Sequence, residues 1–178
     1  MVEANKHIFF KHFLGLMRLI CASFIDLMTL MTSAECQQTA EDWLNRGAAF
    51  YNESKYDEAI EAYDEAIRLD PDFADAWYKK GVALKNRGKY DEAIKAYDKV
   101  IRLNPKDAYV WHNKGYALYA MGKYDEAIEA YDEAIQLAPY YAAVAATWNN
   151  KGVALKALGR TSEADAAFAK AKEMGYTG

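Results

Sequence analysis

The pentapeptide Tyr-Asp-Glu-Ala-Ile occurs three times, at residues 56–60, 90–94 and 124–128, so that successive copies begin 34 residues apart. The same interval separates three tryptophans and also the three prolines of the chain. A fixed period of this length, held by several residue types in register, indicates tandem copies of one structural unit. The tryptophans are Trp43, Trp77 and Trp111, and the prolines are Pro71, Pro105 and Pro139.

Each unit carries two helical patterns in succession. In the first unit, Trp43, Gly47 and Phe50 are spaced as i, i+4 and i+7, which places them on one face of a helix. The second pattern repeats this spacing at Ala59, Tyr63 and Ala66. Between the two helices we expect a glycine turn with positive φ, and Ser54 takes that place in the first unit. In the later units the turn glycines are Gly88, Gly122 and Gly159.

These positions together resemble the tetratricopeptide repeat family over residues 40–178. The resemblance implies an all-α fold, a right-handed superhelical solenoid of four helix-turn-helix pairs. A fourth copy starts at Trp148, which follows Trp111 by 37 residues, so three residues are added near positions 142–144. The expected repeats are 40–73, 74–107, 108–144 and 145–178.

The residues that face the next repeat predict where the array ends. Units one to three place isoleucines there, such as Ile60 and Ile94, and each buried aliphatic side chain contributes about 1.5–3 kcal/mol. The fourth unit has Asp165 and Lys172 instead, so we expect it to be the C-terminal cap. Asp42 makes the N-terminal face of unit one polar as well. Four repeats are therefore expected to form a complete solenoid.

Residues 1–35 precede the repeats and are predicted to be a signal peptide, a membrane anchor or an amphipathic leader. The stretch from 8 to 31 is largely apolar, has Lys6 and Lys11 at its start, and is followed by small residues at 32–34. A helix that lies on a membrane or docks on a partner is one alternative. A second is a start codon placed too early, with translation from Met17. The leader favours an exported or membrane-associated protein, with a cytoplasmic one as the alternative.

The composition argues against several kinds of function. A net charge of −4 gives no basic surface for nucleic acid, so no nucleic acid partner is expected. The two cysteines, Cys21 and Cys36, both precede the repeats. Two of the three histidines lie in the leader, and no zinc, phosphate-loop or catalytic spacing occurs. We therefore predict a non-catalytic protein without cofactor or metal. His112 is interpreted as an ordinary polar residue, with a ligand contact and a catalytic base as alternatives.

The family resemblance implies that the first helices of successive units line a concave groove that holds partner peptides. Positions away from the packing face supply aromatic, carboxamide and lysine side chains, which suit a peptide backbone. We expect the peptide to follow Tyr78, Asn113, Tyr116 and Asn150. The full predicted groove comprises Asn45, Asn52, Tyr78, Lys79, Val82, Lys85, Asn86, His112, Asn113, Tyr116, Tyr119, Asn149, Asn150, Val153 and Lys156.

A subclass of the family grips a C-terminal carboxylate with two asparagines and three basic residues. Asn113 is the one residue here that fits this arrangement, because Tyr78 and Val82 stand where lysine and asparagine are required. We predict that this chain does not bind chaperone tails in that way.

The sequence thus predicts a monomeric scaffold for protein–protein interaction, and replacing Asn113 and Tyr116 by alanine is expected to abolish binding without changing the melting temperature. The alternative function is a structural component of a membrane or envelope assembly, anchored by the N-terminal helix and expected to be oligomeric.

Overall fold

A computed structural model describes residues 38–140 and 143–177, and the predicted leader lies outside these ranges. Within them the chain forms eight α-helices and no strand. The helices are α1 (Ala40–Asn52), α2 (Tyr56–Leu69), α3 (Ala74–Asn86), α4 (Tyr90–Leu103), α5 (Ala108–Ala120), α6 (Tyr124–Leu137), α7 (Val144–Ala157) and α8 (Thr161–Glu173).

Every helix packs on the next one along the chain, which makes four antiparallel pairs stacked in sequence order. The first helices of successive pairs also touch, α1 with α3, α3 with α5 and α5 with α7. The second helices α2, α4, α6 and α8 make no such contact with one another. The stack therefore curves with the first helices on its inner side. The predicted all-α solenoid is confirmed.

In each pair, an aromatic ring of the second helix packs against a glycine of the first helix. A Cβ built on Gly81 would come within 2.6 Å of Cε1 of Tyr97, a side chain with no exposed surface. Only glycine lets the two helices approach this closely. Units one and three repeat the arrangement, and in unit four Phe168 replaces the tyrosine over Gly152.

The periodic prolines have a hydrogen-bonding role that explains their register with tryptophan. Nε1 of Trp77 donates to the carbonyl oxygen of Pro71 at 2.9 Å, and Trp111 donates to Pro105 at 3.3 Å. The insertion before unit four lengthens the loop between α6 and α7, and it starts α7 one residue early relative to Trp148. Within the described residues, the indole of Trp148 has no corresponding partner.

The turn between paired helices has the backbone geometry that the sequence predicts. Gly88 has φ +82°, Gly122 has φ +78° and Gly159 has φ +75°. Ser54 adopts φ 60° at the same place in unit one, where a side chain costs about 1–2 kcal/mol. The first turn is therefore less favourable than the glycine turns of the later units.

Apolar side chains bridge successive units, and polar side chains cover the outer faces of the stack. Ile60 packs against the core clusters of both unit one and unit two. Asp165 and Lys172 of α8 are exposed. At the other end, Asp42 has a role that the sequence reasoning missed. Its backbone N–H donates to Oγ1 of Thr39 at 3.1 Å and its carboxylate accepts from the Thr39 N–H at 2.9 Å, a capping box that starts α1.

None of the helices in the described ranges is long and apolar enough to cross a bilayer.

Candidate functional site

Asn113 lies at the centre of the concave surface and joins units two and three. Its Oδ1 accepts from Nζ of Lys85 at 2.8 Å. Its Nδ2 donates to the carbonyl oxygen of Tyr109 at 2.9 Å and to the hydroxyl oxygen of Tyr78 at 3.2 Å. Only 9% of Asn113 is exposed. Its amide is engaged inside the protein, and its role is to position the side chains around it.

This burial corrects the expectation that replacing Asn113 by alanine leaves stability unchanged. Without the amide, the ammonium of Lys85 would lose its acceptor, and loss of a partner for a part-buried polar group costs about 1–3 kcal/mol. The sequence identified the position but could not show that its side chain is hydrogen-bonded to the preceding unit.

Lys85 and Tyr116 form the accessible part of this cluster. Nζ of Lys85 lies 5.3 Å from the centroid of the Tyr116 ring, within the range of a cation–π interaction. Tyr116 is 42% exposed, so its side chain remains available to a ligand. Burial lowers the pKa of Lys85 from its ordinary value. We refer to Tyr78, Lys85, His112 and Tyr116 together as the inner groove.

The inner groove ends at His112, which joins unit three to unit four. Nδ1 of His112 lies 2.7 Å from Oγ1 of Thr147, and that hydroxyl donates to the carbonyl oxygen of Ala143 at 2.9 Å. This arrangement assigns the ring hydrogen to Nδ1. Burial, followed by the charge of Lys85, lowers the pKa of His112 to about 4, so the ring is neutral at pH 7. In the described part of the chain, no cluster of three or more His, Cys, Asp or Glu side chains could hold a metal ion.

Tyr51 extends the concave surface toward unit one, although the sequence reasoning did not include it. Its hydroxyl oxygen accepts from Nδ2 of Asn86 at 2.5 Å. Tyr51 packs on Tyr56 with ring centroids 5.5 Å apart, and Tyr119 packs on Tyr124 at the same distance. Tyr51 also stands at the repeat position of Lys85, so the 34-residue register would have revealed it.

The remaining predicted groove residues differ in exposure. Val82 and Tyr78 are partly buried and pack against the core of unit two. The others form no side-chain hydrogen bond to another described residue. Of these, Asn45, Asn52 and Lys156 are exposed, whereas Lys79, Asn149, Asn150 and Val153 are half-buried.

A buried hydroxyl close to Tyr78 was not anticipated. The hydroxyl oxygen of Tyr97 has no hydrogen-bond partner among the described residues. Burial raises the pKa of Tyr97 above its ordinary value. Such a group is uncommon in protein interiors, where more than about 90% of buried polar groups are paired.

A stack of helix pairs with a groove of tyrosine, lysine and carboxamide side chains along its first helices defines a helical-repeat protein of the solenoid class. The model of the tetratricopeptide repeat family matches residues 44–108, 81–142 and 112–175. The chain belongs to this family.

Solved structures of MamA have the same fold. One crystal structure of MamA is 30% identical, with a TM-score of 0.72, and the match covers 76% of this chain and 77% of that one. A second crystal structure of MamA is also 30% identical, with a TM-score of 0.71 and coverage of 76% and 72%. MamA from Desulfovibrio magneticus RS-1, from position 41 to its end, is 24% identical, with a TM-score of 0.71 and coverage of 76% and 75%, and shows the fold alone. No curated protein sequence matches the chain.

Proposed function

We propose that this protein is a non-catalytic interaction scaffold that binds a segment of a partner protein along the inner groove. Membership of the tetratricopeptide repeat family supports a protein-interaction role. The observation that carries the proposal is the exposed ring of Tyr116, which is held beside Lys85 and lies next to the buried Asn113 network.

The chemistry of the groove suits an extended peptide. A tyrosine ring supplies a large contact area at low entropic cost, and amide and ammonium groups supply hydrogen bonds to a peptide backbone. The Asn113 network fixes Tyr78 and Lys85 before any partner arrives, which lowers the entropy lost on binding.

Affinity capture from the native source tests this proposal. The full chain is compared with Tyr116→Ala and with Tyr140→Ala, and retained proteins are identified by mass spectrometry. Tyr140 is a matched control, because it is 88% exposed and lies in the loop between α6 and α7. We expect a partner held by the wild type and by Tyr140→Ala to be lost from Tyr116→Ala. Identical partner sets, or no specific partner, would contradict the groove as the binding site.

The proposal assigns separate roles to the two parts of the chain. Residues 40–178 bind the partner, and residues 1–35, as a signal peptide or membrane anchor, place the protein at or across a membrane. The leader lies outside the described residues, so this assignment depends on its apolar stretch from 8 to 31.

That same stretch favours a second candidate function, a structural component of a membrane or envelope assembly. The two candidates differ in the expected size of the particle. A scaffold with polar ends is expected to be a monomer, whereas an assembly component forms a defined oligomer. Light scattering of the full chain after size-exclusion chromatography distinguishes them, and a single oligomeric species would favour the assembly.

A further inference from the structure

We infer that the inner groove recognises a carboxylate on the partner segment and that Lys85 is the cation that binds it. This inference rests on the proposed function and specifies the chemistry of the partner. It goes beyond a general peptide groove, because it predicts which partner side chain matters and which residue of this chain recognises it.

The first observation is that Lys85 has no counterion within residues 38–140 and 143–177. Three other lysines on the first helices are each paired with an aspartate of the preceding second helix. These pairs are Lys80 with Asp64 at 2.5 Å, Lys114 with Asp98 at 2.7 Å and Lys151 with Asp132 at 2.5 Å. Among the described residues, no carboxylate lies within salt-bridge distance of Lys85.

The second observation concerns the hydrogen-bond donors of the Lys85 ammonium, which are not all used within the described residues. An ammonium has three donor hydrogens, and the structure uses one of them, on Oδ1 of Asn113 at 2.8 Å. The side chain is half-buried, so water replaces the missing acceptors less well than at an exposed lysine. Burial also lowers the pKa of Lys85, which reflects the desolvation of its charge.

A carboxylate in this position would compensate the desolvated charge. Hydrogen bonds between an ammonium and a carboxylate are shorter and about twice as strong as those between neutral groups. Binding of the anion is therefore more favourable here than at an exposed lysine, where solvent screens the charge.

In the part of the chain that the structure describes, no free anion could take this place beside Lys85. Burial, followed by the charge of Asp107, raises the pKa of nearby Tyr78. The carboxylate of Asp107 already accepts from the N–H groups of Tyr109 at 2.9 Å and Val110 at 3.4 Å, where it caps α5. His112 is neutral at pH 7. The exposed ring of Tyr116 beside the ammonium leaves an apolar surface for the methylene groups of an Asp or Glu side chain.

The experiment is a selection of random displayed peptides on the full chain, followed by synthesis of the enriched peptides. Each synthetic peptide is made with a blocked C-terminus, and each acidic residue is replaced in turn by its amide, Glu by Gln or Asp by Asn. Affinities are measured for the wild type, Lys85→Met and Lys95→Met. Methionine keeps much of the apolar stem of lysine. Lys95 is the matched control, an exposed lysine on α4 outside the groove.

We expect the selected peptides to share an acidic residue at one position. Its amide replacement should weaken binding about tenfold to the wild type and to Lys95→Met, and less than about twofold to Lys85→Met. A peptide that binds only when its C-terminus is left free presents the carboxylate of its chain end, and unchanged binding of that peptide to Lys85→Met would overturn the inference.

Two other results would count against it. Peptides that bind tightly without an acidic residue, or that bind Lys85→Met as well as the wild type, would overturn the role of Lys85 and leave the proposed function intact. Failure to enrich any peptide would overturn both. Circular dichroism of Lys85→Met establishes that a loss of affinity is not a loss of fold.

Discussion

The rings of Tyr97 and Tyr78 lie with their centroids 6.3 Å apart at an angle of 49°, and the Tyr97 hydroxyl has no hydrogen-bond partner within the described residues. Tyr78, by contrast, accepts a hydrogen bond from Asn113. The hydroxyl of Tyr97 has therefore been desolvated on folding without compensation, next to the groove that we propose binds a partner.

The first prediction follows from this uncompensated hydroxyl. Tyr97→Phe removes a buried polar group that makes no hydrogen bond to any described residue, so the free energy of unfolding should rise by about 1 kcal/mol. Tyr63→Phe is the control, because the hydroxyl of Tyr63 is not among the buried unpaired atoms. Urea unfolding followed by circular dichroism measures both. A clear loss of stability in Tyr97→Phe would mean that its hydroxyl has a partner.

The second prediction separates the structural role of Asn113 from the binding role of Tyr116. Asn113→Ala should lower the free energy of unfolding by about 1–3 kcal/mol, because it removes an acceptor from Lys85 and a donor from Tyr78. Tyr116→Ala should cost less, at most about 1 kcal/mol, since Tyr116 is 42% exposed. Thermal unfolding of the two variants gives the comparison, and equal stabilities would show that the Asn113 network contributes little.

The third prediction concerns two glycines of unit two that are required for different reasons. Gly81→Ala should destabilise the protein by about 3 kcal/mol, because the new Cβ collides with the buried Tyr97 ring. Gly88→Ala should cost only about 1 kcal/mol, since no atom of the described residues lies near its Cβ and only the positive φ is unfavourable. Unfolding in urea distinguishes the two. A smaller effect at Gly81 than at Gly88 would contradict the close approach of α3 and α4.

The fourth prediction is a pH dependence of stability that arises at His112. Because its folded-state pKa of about 4 lies below the ordinary value of 6.5, the unfolded chain binds a proton at this residue first as the pH falls. Above about pH 6.5 the ring is neutral in the folded and the unfolded chain, so it does not change the free energy of unfolding. That free energy falls as the pH is lowered from 6.5 to about 4.

Replacing His112 by asparagine tests this assignment, because asparagine retains a donor near Nδ1 but does not titrate. Between pH 7 and pH 4.5, the wild type should lose up to about 3 kcal/mol more stability than His112→Asn. The carboxylates titrate in both proteins and cancel in the difference. Parallel pH profiles would show that the histidine is solvated in the folded state.

Much of the fold could be predicted from the sequence because each packing role repeats. Gly81 and Tyr97 have counterparts 34 residues away in the neighbouring units, so several copies of the repeat predict the same contact. The turn at Ser54 could be located in the same way, since its position is filled by glycine in the later units. A single copy would not have distinguished these positions from ordinary helix residues.

The groove was less predictable because its contacts cross between units and do not repeat. Whether Asn113 is exposed depends on Lys85 and Tyr78 of the preceding unit. Units one and three have tyrosine at the position of Lys85, and leucine and histidine at the position of Tyr78. Periodicity identifies the face of the helix but gives no information on such pairings. The unpaired hydroxyl of Tyr97 was missed for a similar reason, because its register predicts a packed ring and does not specify where the hydroxyl points.

The lysine–aspartate pairs have a consequence for how such a protein can change over generations. The same pair occurs at each of the three junctions, between Lys80 and Asp64, Lys114 and Asp98, and Lys151 and Asp132. A duplicated copy of an internal unit would thus meet complementary charges on both of its sides, so the array can lengthen by gene duplication without inventing a new interface. The Lys85–Asn113 contact belongs to one junction alone, so the same event would alter which ligands are recognised while preserving the architecture.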